Sequence, residues 1–423
     1  MTYKTGINTD NIIRDLQQSV NFWTKTIQHF CFKRVRKIRT VDIFEFVLQL
    51  AANETKGSSD ILMKMYKNNI SPENIVSKST MSDARDKVVV NMWKAVFSDV
   101  SDSLRKEIKT RRIFAIDGSV LVLQNADFGG KFKKSNGSYL PHAYASGRYD
   151  IDYGFPIDVV VSDKLDERSA AIEHLKYLKP GDIVVMDRGY YSKALFNIFH
   201  DAGVHVLFRM KSNTSKAEWE KEENDILSSK DGIDCRFVKY EVNSVKYMIL
   251  TNLNDNSIDP AGFIQLIYHK RWGIETAFGY TKDVCSLANL HARTVTHLVE
   301  EFYANFLLFT IARLVEYHSI NRSAHNLVGG YFNRNVLKPN GVNGKYDQKV
   351  NFKQCISQTN DSLRILLSAN MLDEFEKLSK IILIGLSPIR GGRHFDRLSL
   401  QSNNKWVHHR SVRSDSKQND NPN

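Results

Sequence analysis

Apolar runs rich in Val, Ile and Phe alternate with segments of helical spacing between residues 111 and 211. The strand candidates in this region are RRIFAIDGSVLVL, FPIDVVVSD, GDIVVMDRGYY and HVLFRMK. The segments DERSAAIEHLKYL and YSKALFNIFHDAG, which lie between strand candidates, place their apolar side chains at helical intervals. Since strands that alternate with helices form an α/β sheet, this pattern predicts an α/β domain, which we place at residues 106–320.

The residues that precede this domain have helical spacing. TVDIFEFVLQLAANE (40–54) places its apolar side chains mostly on one side, and STMSDARDKVVVNMWKAVFSDV (79–100) opens with Ser and Thr that can cap a helix. We therefore predict an all-helical N-terminal domain over residues 1–105. The run FKRVRKIR could grip DNA phosphates, although such a run is also typical of a solvated surface; its cations are Lys33, Arg34, Arg36, Lys37 and Arg39.

The α/β alternation is interrupted at residues 212–257. This stretch opens with polar SNTSKAEWEKEENDILSSKDG and continues with two alternating strands, CRFVKYEV and KYMILTNL, which predict a β-rich insertion. Helical spacing returns from about residue 258 to residue 320. We expect a mainly helical and basic C-terminal region over residues 321–423, ending in a disordered tail, RSDSKQNDNPN.

The net charge of +12 and the pI near 9.3 favour an acidic partner, with nucleic acid ahead of an anionic membrane. The four cysteines lie far apart without a C-x-x-C pair, which argues against a zinc ribbon and a disulfide scaffold. The N-terminus lacks the apolar core of a signal peptide, and Asn305 and Arg313 interrupt the most apolar stretch, FYANFLLFTIARLV. We expect a cytoplasmic, nucleoid-associated protein without a membrane partner.

Two aspartates follow apolar strand candidates in the same way. IFAIDGS places Asp117 at the end of one run, and IVVMDRGY places Asp187 at the end of another, 70 residues later. Asp-Gly is also a common turn former, and Asp187 could cap a following helix, so either residue alone is compatible with a structural role. Both acids together, at the strand ends where open α/β sheets place their sites, predict a functional site.

The segment YHKRWGIETAFGYTK (268–282) carries four polar side chains on one face if it forms a single helix. At about 100° per residue they fall at roughly 0°, 300°, 340° and 320°; they are Tyr268, Arg271, Glu275 and Lys282. Arg271 and Glu275 could simply form a surface ion pair at i,i+4 spacing. One acid among cations and a phenol is nevertheless what a helix needs to hold a metal ion beside a phosphate backbone.

The spacing Tyr268-x2-Arg271-x3-Glu275-x6-Lys282 resembles the Y-R-E-K signature of DDE transposases of the insertion-sequence-four type. IDGS and MDRGYY resemble the first and second aspartate motifs of this family. The β-rich insertion ahead of the glutamate is also typical of it. SKSTMSDARDKV (77–88) is similar to a segment ahead of the catalytic domain, and RGGRHFDRLSLQSNNKWVHHR to a basic segment near the end.

The resemblance implies an RNase H-like catalytic core in which Asp117, Asp187 and Glu275 bind two Mg²⁺ or Mn²⁺ ions. It implies that transposon-end phosphates contact the basic and phenolic side chains, namely Tyr268, Arg271, Lys282 and, from LFRMK, Arg209. Family members that form a hairpin use a tryptophan of the insertion to hold a flipped base. Trp219 lies in the insertion but in no aligned motif, so hairpin formation stays open.

The reaction implied by the resemblance is cleavage at the terminal inverted repeats, followed by attack of the freed 3′-OH on target DNA. Joining of two ends implies a homodimer on DNA. A metal-dependent endonuclease without strand transfer and a domesticated DNA-binding protein are the alternatives. The sequence lacks H-E-x-x-H, G-x-S-x-G, Walker and G-x-G-x-x-G motifs, which argues against a metalloprotease, an α/β-hydrolase and enzymes with a nucleotide cofactor.

Overall fold

The structure is a computed structural model. It describes residues 7–32, 37–52, 57–67, 76–88, 91–108, 112–134, 139–164, 166–242, 244–254, 260–285, 287–322, 336–337, 348–367 and 370–389. Of the predicted phosphate-binding run FKRVRKIR, residues 33–36 lie outside these ranges, as do the basic segment 390–410 and the tail.

Helices make up the N-terminal part, as predicted: α1 (Thr9–Cys31), α2 (Thr40–Ala51), α3 (Ser58–Lys67), α4 (Lys78–Arg85) and α5 (Asn91–Glu107). The Ser77 side chain caps α4 by accepting a hydrogen bond from the Thr80 amide. Arg39 of the basic run pairs with Asp42 at the start of α2, with 2.8 Å between Nη2 and Oδ1.

The middle of the chain forms a mixed sheet, which confirms the predicted α/β class. Its strands are β1 (Ile113–Val122), β2 (His142–Asp150), β3 (Pro156–Ser162), β4 (Ile183–Met186), β5 (His205–Arg209), β6 (Asp225–Lys230), β7 (Ile233–Val242) and β8 (Val245–Thr251). Their order across the sheet is β3-β2-β1-β4-β5-β8-β7-β6. The pairs β1–β4 and β4–β5 are parallel, and the remaining pairs are antiparallel.

One local prediction about this sheet was wrong, and two of its strands were missed. Strand β1 does not end at Asp117 but continues to Val122, because the β-branched and apolar residues after Gly118 pair with β2. Strand β2 was not predicted, and β6 was read as part of a polar segment. The insertion also joins the main sheet, since β8 pairs with β5.

Helices cover both faces of this sheet. They are α6 (Glu167–Leu175), α7 (Lys193–Asp201), α8 (Lys216–Glu220), α9 (Pro260–Lys270), α10 (Trp272–Asp283) and α11 (Val295–Arg322), with a short 3-10 helix at Leu287–Asn289. The single helix predicted over residues 268–282 is wrong, because the helix divides at Arg271. The Arg271 amide donates to the Tyr268 carbonyl at 3.1 Å, a tighter i to i−3 turn.

The described residues after α11 are mainly helical and form α12 (Phe352–Asp361), α13 (Leu363–Leu366) and α14 (Met371–Ile384). Short strands β9 (Val336–Leu337), β10 (Gln348–Lys349) and β11 (Ser387–Pro388) form a small separate sheet. Helix α11 packs against α1, α2, α5, α12 and α14 and is buried along most of its length. In the described part of the chain, no helix is long and apolar enough to cross a membrane.

Two hydrophobic clusters lie on opposite faces of the sheet. One contains Ala115, Val185 and Leu207 and continues into α9, α10, α11 and the N- and C-terminal helices. The other contains Ile116 and Met186 and the apolar side of α7. Because side chains alternate along a strand, Asp117, two residues beyond Ala115, faces α9 and α10.

Candidate active site

The register of the parallel strands places the two motif aspartates side by side. Ala115 of β1 pairs with Val185 of β4. Continuing this register by two residues places Asp117 opposite Asp187, since strand partners and aspartates are both 70 residues apart. Neighbouring strands lie about 4.8 Å apart, so both carboxylates face the same helices from adjacent strands. Asp187 directly follows β4, as predicted.

The same row of the sheet continues to Arg209. Met186 of β4 pairs with Phe208 of β5, so the next position places Asp187 beside Arg209. The Arg209 guanidinium lies 4.5 Å from the centre of the Tyr247 ring, which belongs to the insertion strand β8. The insertion therefore supplies an aromatic support for a cation at the edge of the acidic site.

Helices α9 and α10 lay their polar residues over this row. The Tyr268 hydroxyl donates to Asp187 Oδ1 at 3.3 Å. Arg271 Nη2 donates to Glu275 Oε1 at 2.7 Å, and the Arg271 side chain is 8% exposed whereas that of Glu275 is 41% exposed. These hydrogen bonds place Tyr268 against Asp187 and hold Glu275 against Arg271.

Lysine 282 reaches the first aspartate motif from the C-terminal part of α10. Its Nζ donates to the Ser119 hydroxyl, and Ser119 lies two residues after Asp117 on the same face of β1. Lys282, the last residue of the Y-R-E-K spacing, therefore contacts the strand that carries Asp117.

Two glycines allow the backbone and aromatic rings to approach Asp117 closely. Gly147 is the strand partner of Asp117, and a Cβ there would lie 2.6 Å from the Tyr149 ring. A Cβ on Gly118 would lie 2.3 Å from the Tyr144 hydroxyl and 2.8 Å from the Ala145 carbonyl oxygen. A side chain at Gly118 would therefore meet the backbone of β2, and one at Gly147 would have to displace the Tyr149 ring.

The electrostatics of the site favour a cation. The pKa of Asp117 is raised to about 6, chiefly by burial and also by the negative charges of Glu275 and Asp187, whereas the Gly118 amide and Arg271 oppose this shift. The Gly118 amide donates to Asp117 Oδ1 at 2.9 Å. A buried carboxylate with two acidic neighbours is stabilised by a nearby positive charge.

The donor chemistry fits a divalent ion, because carboxylate oxygens are the ligands that Mg²⁺ and Mn²⁺ prefer. As they stand, however, His, Cys, Asp and Glu side chains of the described residues form no group of three or more that could hold a metal ion. The carboxylate of Glu275 is instead bound to Arg271. Arg271 thus supplies part of the positive charge that the acids require.

Trp219 lies apart from this row of polar residues. Its ring packs against the cluster that contains Met186 and α7, and its Nε1 lies 3.4 Å from the Lys211 carbonyl oxygen. This cluster is on the sheet face opposite to the aspartates.

A family model described as "Transposase DDE domain" matches residues 108–311, which include every residue of the acidic row. A relative from Synechocystis sp., named "Putative transposase for insertion sequence element IS4SA", is 22% identical over 288 residues, 65% of this chain and 82% of the relative. The chain is a transposase whose DDE domain spans residues 108–311. The resemblance seen in the sequence motifs is thereby confirmed.

A solved structure of the piggyBac transposase synaptic complex with hairpin DNA also aligns with this transposase. The TM-score is 0.47 and the identity 12%, over 94% of this chain and 89% of the other.

Sequence reasoning missed several residues that surround the acids in the transposase. Ser119, Tyr144 and Tyr190 lie close to Asp117 or its motif, and Tyr144 and Tyr190 approach each other with 3.4 Å between their hydroxyls. Ser119 follows Asp117 at a spacing of two, so strand alternation could have shown that it shares the face. Tyr144 lies on the strand that was not predicted.

Proposed function

We propose that Asp117, Asp187 and Glu275 are the metal ligands of this DNA transposase and bind two Mg²⁺ or Mn²⁺ ions. The observation that carries the proposal is the parallel pairing of β1 and β4, with Ala115 opposite Val185, because Asp117 and Asp187 each lie two residues further along. The helix that bears Glu275 covers this end of the two strands. Such ions supply charge stabilisation for the attacking and leaving oxygens of an in-line displacement at phosphorus. Glu275 would have to leave Arg271 to hold a metal ion, and its side chain is 41% exposed.

We infer an RNase H-like core for the catalytic domain, residues 106–320. Three antiparallel strands, β3-β2-β1, continued by the parallel pair β4-β5, support this assignment, with residues 212–257 as the insertion. We further propose that residues 1–105 form a DNA-binding domain and that residues 321–423 contribute contacts between two copies of the chain on DNA.

The cations and the phenol of the site would bind the phosphates that flank the cut. Arg209, Arg271 and Lys282 surround the acids, and Tyr268 already donates a hydrogen bond to Asp187. When Glu275 leaves Arg271, the guanidinium becomes free to donate two hydrogen bonds to a phosphate. Acids that would otherwise repel DNA are thus interleaved with groups that attract it.

The proposed reaction has two steps at one site. Water first cleaves at each 3′ end of the element, which leaves a 3′-OH, and this hydroxyl then attacks a phosphorus of target DNA and displaces the target 3′ oxygen. Each step exchanges one phosphodiester bond for another bond to phosphorus, so the residues that position the phosphate serve both steps. The exchange requires no nucleotide cofactor.

The test is a strand-transfer assay with labelled element ends, target plasmid and Mg²⁺ or Mn²⁺. We expect labelled ends covalently joined to the target at their 3′-OH. Cleaved ends without joined products, under conditions in which the ends remain bound, would instead support an endonuclease.

A further inference from the structure

Helix α6 packs on the sheet face opposite to the acidic row and approaches both aspartate motifs from behind. Its first turn is fixed by Asp166, whose carboxylate accepts hydrogen bonds from the amides of Arg168 at 3.1 Å and Ser169 at 3.3 Å. The buried residue Ala171 joins the hydrophobic cluster on that face. The helix therefore offers a rigid base for the side chains of its first turn.

The Arg168 side chain binds three consecutive backbone carbonyls in the loop that follows β4. Nη2 donates to the carbonyl oxygens of Gly189 and Tyr191, each at 3.1 Å, and Nε donates to that of Tyr190 at 3.2 Å. This loop begins at Asp187. A planar guanidinium can direct several donors at fixed angles, and hydrogen bonds from a charged donor are stronger than neutral ones.

The loop is also held by its own residues. The Tyr190 amide donates to the Asp187 carbonyl oxygen at 3.1 Å, which closes a tight turn, and the Tyr190 side chain is 1% exposed. A Cβ on Gly189 would lie 2.5 Å from Glu167 Oε1, so the first turn of α6 and the loop are in close contact. Together these contacts restrict the backbone on which Asp187 is placed.

The far end of α6 supports the other motif. His174 Nδ1 lies 2.7 Å from Asp158 Oδ2, and His174 Nε2 lies 3.0 Å from Ser146 Oγ. Ser146 Oγ lies 3.4 Å from the carbonyl oxygen of Asp117. Ser146 and His174 are both fully buried, so this Ser–His–Asp chain braces the sheet beneath Asp117 and is closed to a substrate.

We propose that Arg168 is a positioning residue that holds the loop of Asp187 so that its carboxylate stays in register with that of Asp117. The inference rests on the proposed metal-binding role of both aspartates. In this role Arg168 acts through the backbone carbonyls of residues 189–191. Groups that orient metal ligands in this way typically contribute about 10- to 100-fold to metal affinity.

The experiment measures Mn²⁺ binding to the metal-free full-length protein, with free Mn²⁺ followed by electron paramagnetic resonance, alongside the Mn²⁺ concentration for half-maximal cleavage. We expect Arg168→Ala to weaken Mn²⁺ binding about tenfold. Arg168→Lys should recover part of this loss, because an ammonium can still donate to one or two of the carbonyls. Binding of element ends without metal should be unchanged.

Lys176→Ala is the matched control, since Lys176 caps the other end of α6 and pairs with the exposed Glu173 at 3.6 Å. Asp187→Ala is measured in the same series. If Asp187→Ala loses Mn²⁺ binding while Arg168→Ala stays within twofold of the wild type, the positioning role is overturned and the proposed function stands. If both variants bind Mn²⁺ normally, both proposals are overturned. Should Arg168→Ala not fold, a normal Mn²⁺ affinity in a folded Arg168→Gln variant would overturn the role equally.

Discussion

An arginine lies among acidic side chains in two regions of the molecule, and the two arrangements differ in how completely the charges are matched. In the helical core, Arg85 of α4 pairs with Glu300 at 3.2 Å and with Glu301 at 3.1 Å, both on α11. Over the sheet, Arg271 pairs with Glu275 at 2.7 Å. All the members of the first group are nearly buried, whereas the Glu275 side chain is 41% exposed.

The ion pairs of Arg85 with Glu300 and Glu301 join α4 to α11. Glu301 also accepts hydrogen bonds from the amides of His291 at 2.7 Å and Ala292 at 3.2 Å. Burial raises the pKa of Glu300 to about 7, although Arg85 opposes the shift. Protonation of Glu300 can therefore remove the excess negative charge of this group, and a second cation is not required.

The negative charge of the site over the sheet is not balanced in this way. Arg271 faces three acids, and burial with two acidic neighbours raises the pKa of Asp117 to about 6, which leaves much of its charge in place near neutral pH. A matched buried ion pair thus joins elements of the fold, whereas an excess of carboxylates at a half-open face suits metal ions.

The largest expected effect breaks the site and spares the helical core. Asp117→Ala, Asp187→Ala and Glu275→Ala should each reduce cleavage about a thousandfold or more, because loss of a ligand removes several kcal/mol of transition-state stabilisation. Binding of element ends should remain largely intact, as few phosphate contacts are lost. Cleavage assays and gel-shift titrations measure the two quantities, with the exposed Asp201→Ala as control. A variant that cuts at a normal rate would remove that residue from the site.

The second effect breaks the helical group and spares the site. Arg85→Ala should lower the free energy of unfolding by about 3 kcal/mol, because it leaves buried glutamates without their cation. Urea unfolding measures this loss, with the exposed Lys87→Ala as control. Cleavage per folded molecule should stay normal. Unchanged stability would show that the buried pair does not join α4 to α11.

The third effect sharpens the comparison through pH. The pKa of Glu300 is raised to about 7 in the folded protein from an ordinary value of 4.5. Its contribution to stability is therefore present in full below about pH 4.5 and is lost as the pH rises through 7. Glu300→Gln does not titrate, so its stability relative to the wild type should increase by about 2–3 kcal/mol between pH 5 and pH 8. Unfolding curves at both pH values measure it, and a pH-independent difference would contradict the raised pKa.

The smallest effect concerns the cations over the sheet. Arg271→Ala and Lys282→Ala should each remove about one phosphate contact and so lower the slope of log affinity against log salt concentration by about one. Between 50 and 200 mM salt, each variant should therefore lose about three- to fourfold less affinity than the wild type. Fluorescence anisotropy at several salt concentrations measures the slope. Lys193→Ala, on the opposite face of the sheet, is the control. An unchanged slope for Arg271→Ala would show that Arg271 only pairs with Glu275 and does not bind phosphate.

The candidate residues of the site could be named from the sequence because they lie in short motifs. The interval of 70 residues between Asp117 and Asp187 equals the interval between paired residues of β1 and β4, which the sequence could not show without the register. The division of the helix at Arg271 was missed, because a Trp-Gly pair within an otherwise helical pattern does not reveal where a turn tightens.

Strand β2 could not be predicted from the sequence, because it contains polar residues that are buried only by tertiary contacts. Strand β2, HAYASGRYD, reads as polar, yet Arg148 is fully buried with its guanidinium 4.7 Å from the centre of the Phe114 ring. Arg168 carries no local signal either, since its partners are backbone carbonyls of residues 189–191. Contacts to backbone atoms leave no pattern of residue types to find.

Anomalous scattering from Mn²⁺ in crystals of the transposase with an element end tests the central claim most directly. We expect Mn²⁺ in direct contact with the carboxylates of Asp117 and Asp187, and Glu275 turned from Arg271 toward the metal. Mn²⁺ bound at other residues, or Glu275 still paired with Arg271 while Asp117 and Asp187 point apart, would contradict it.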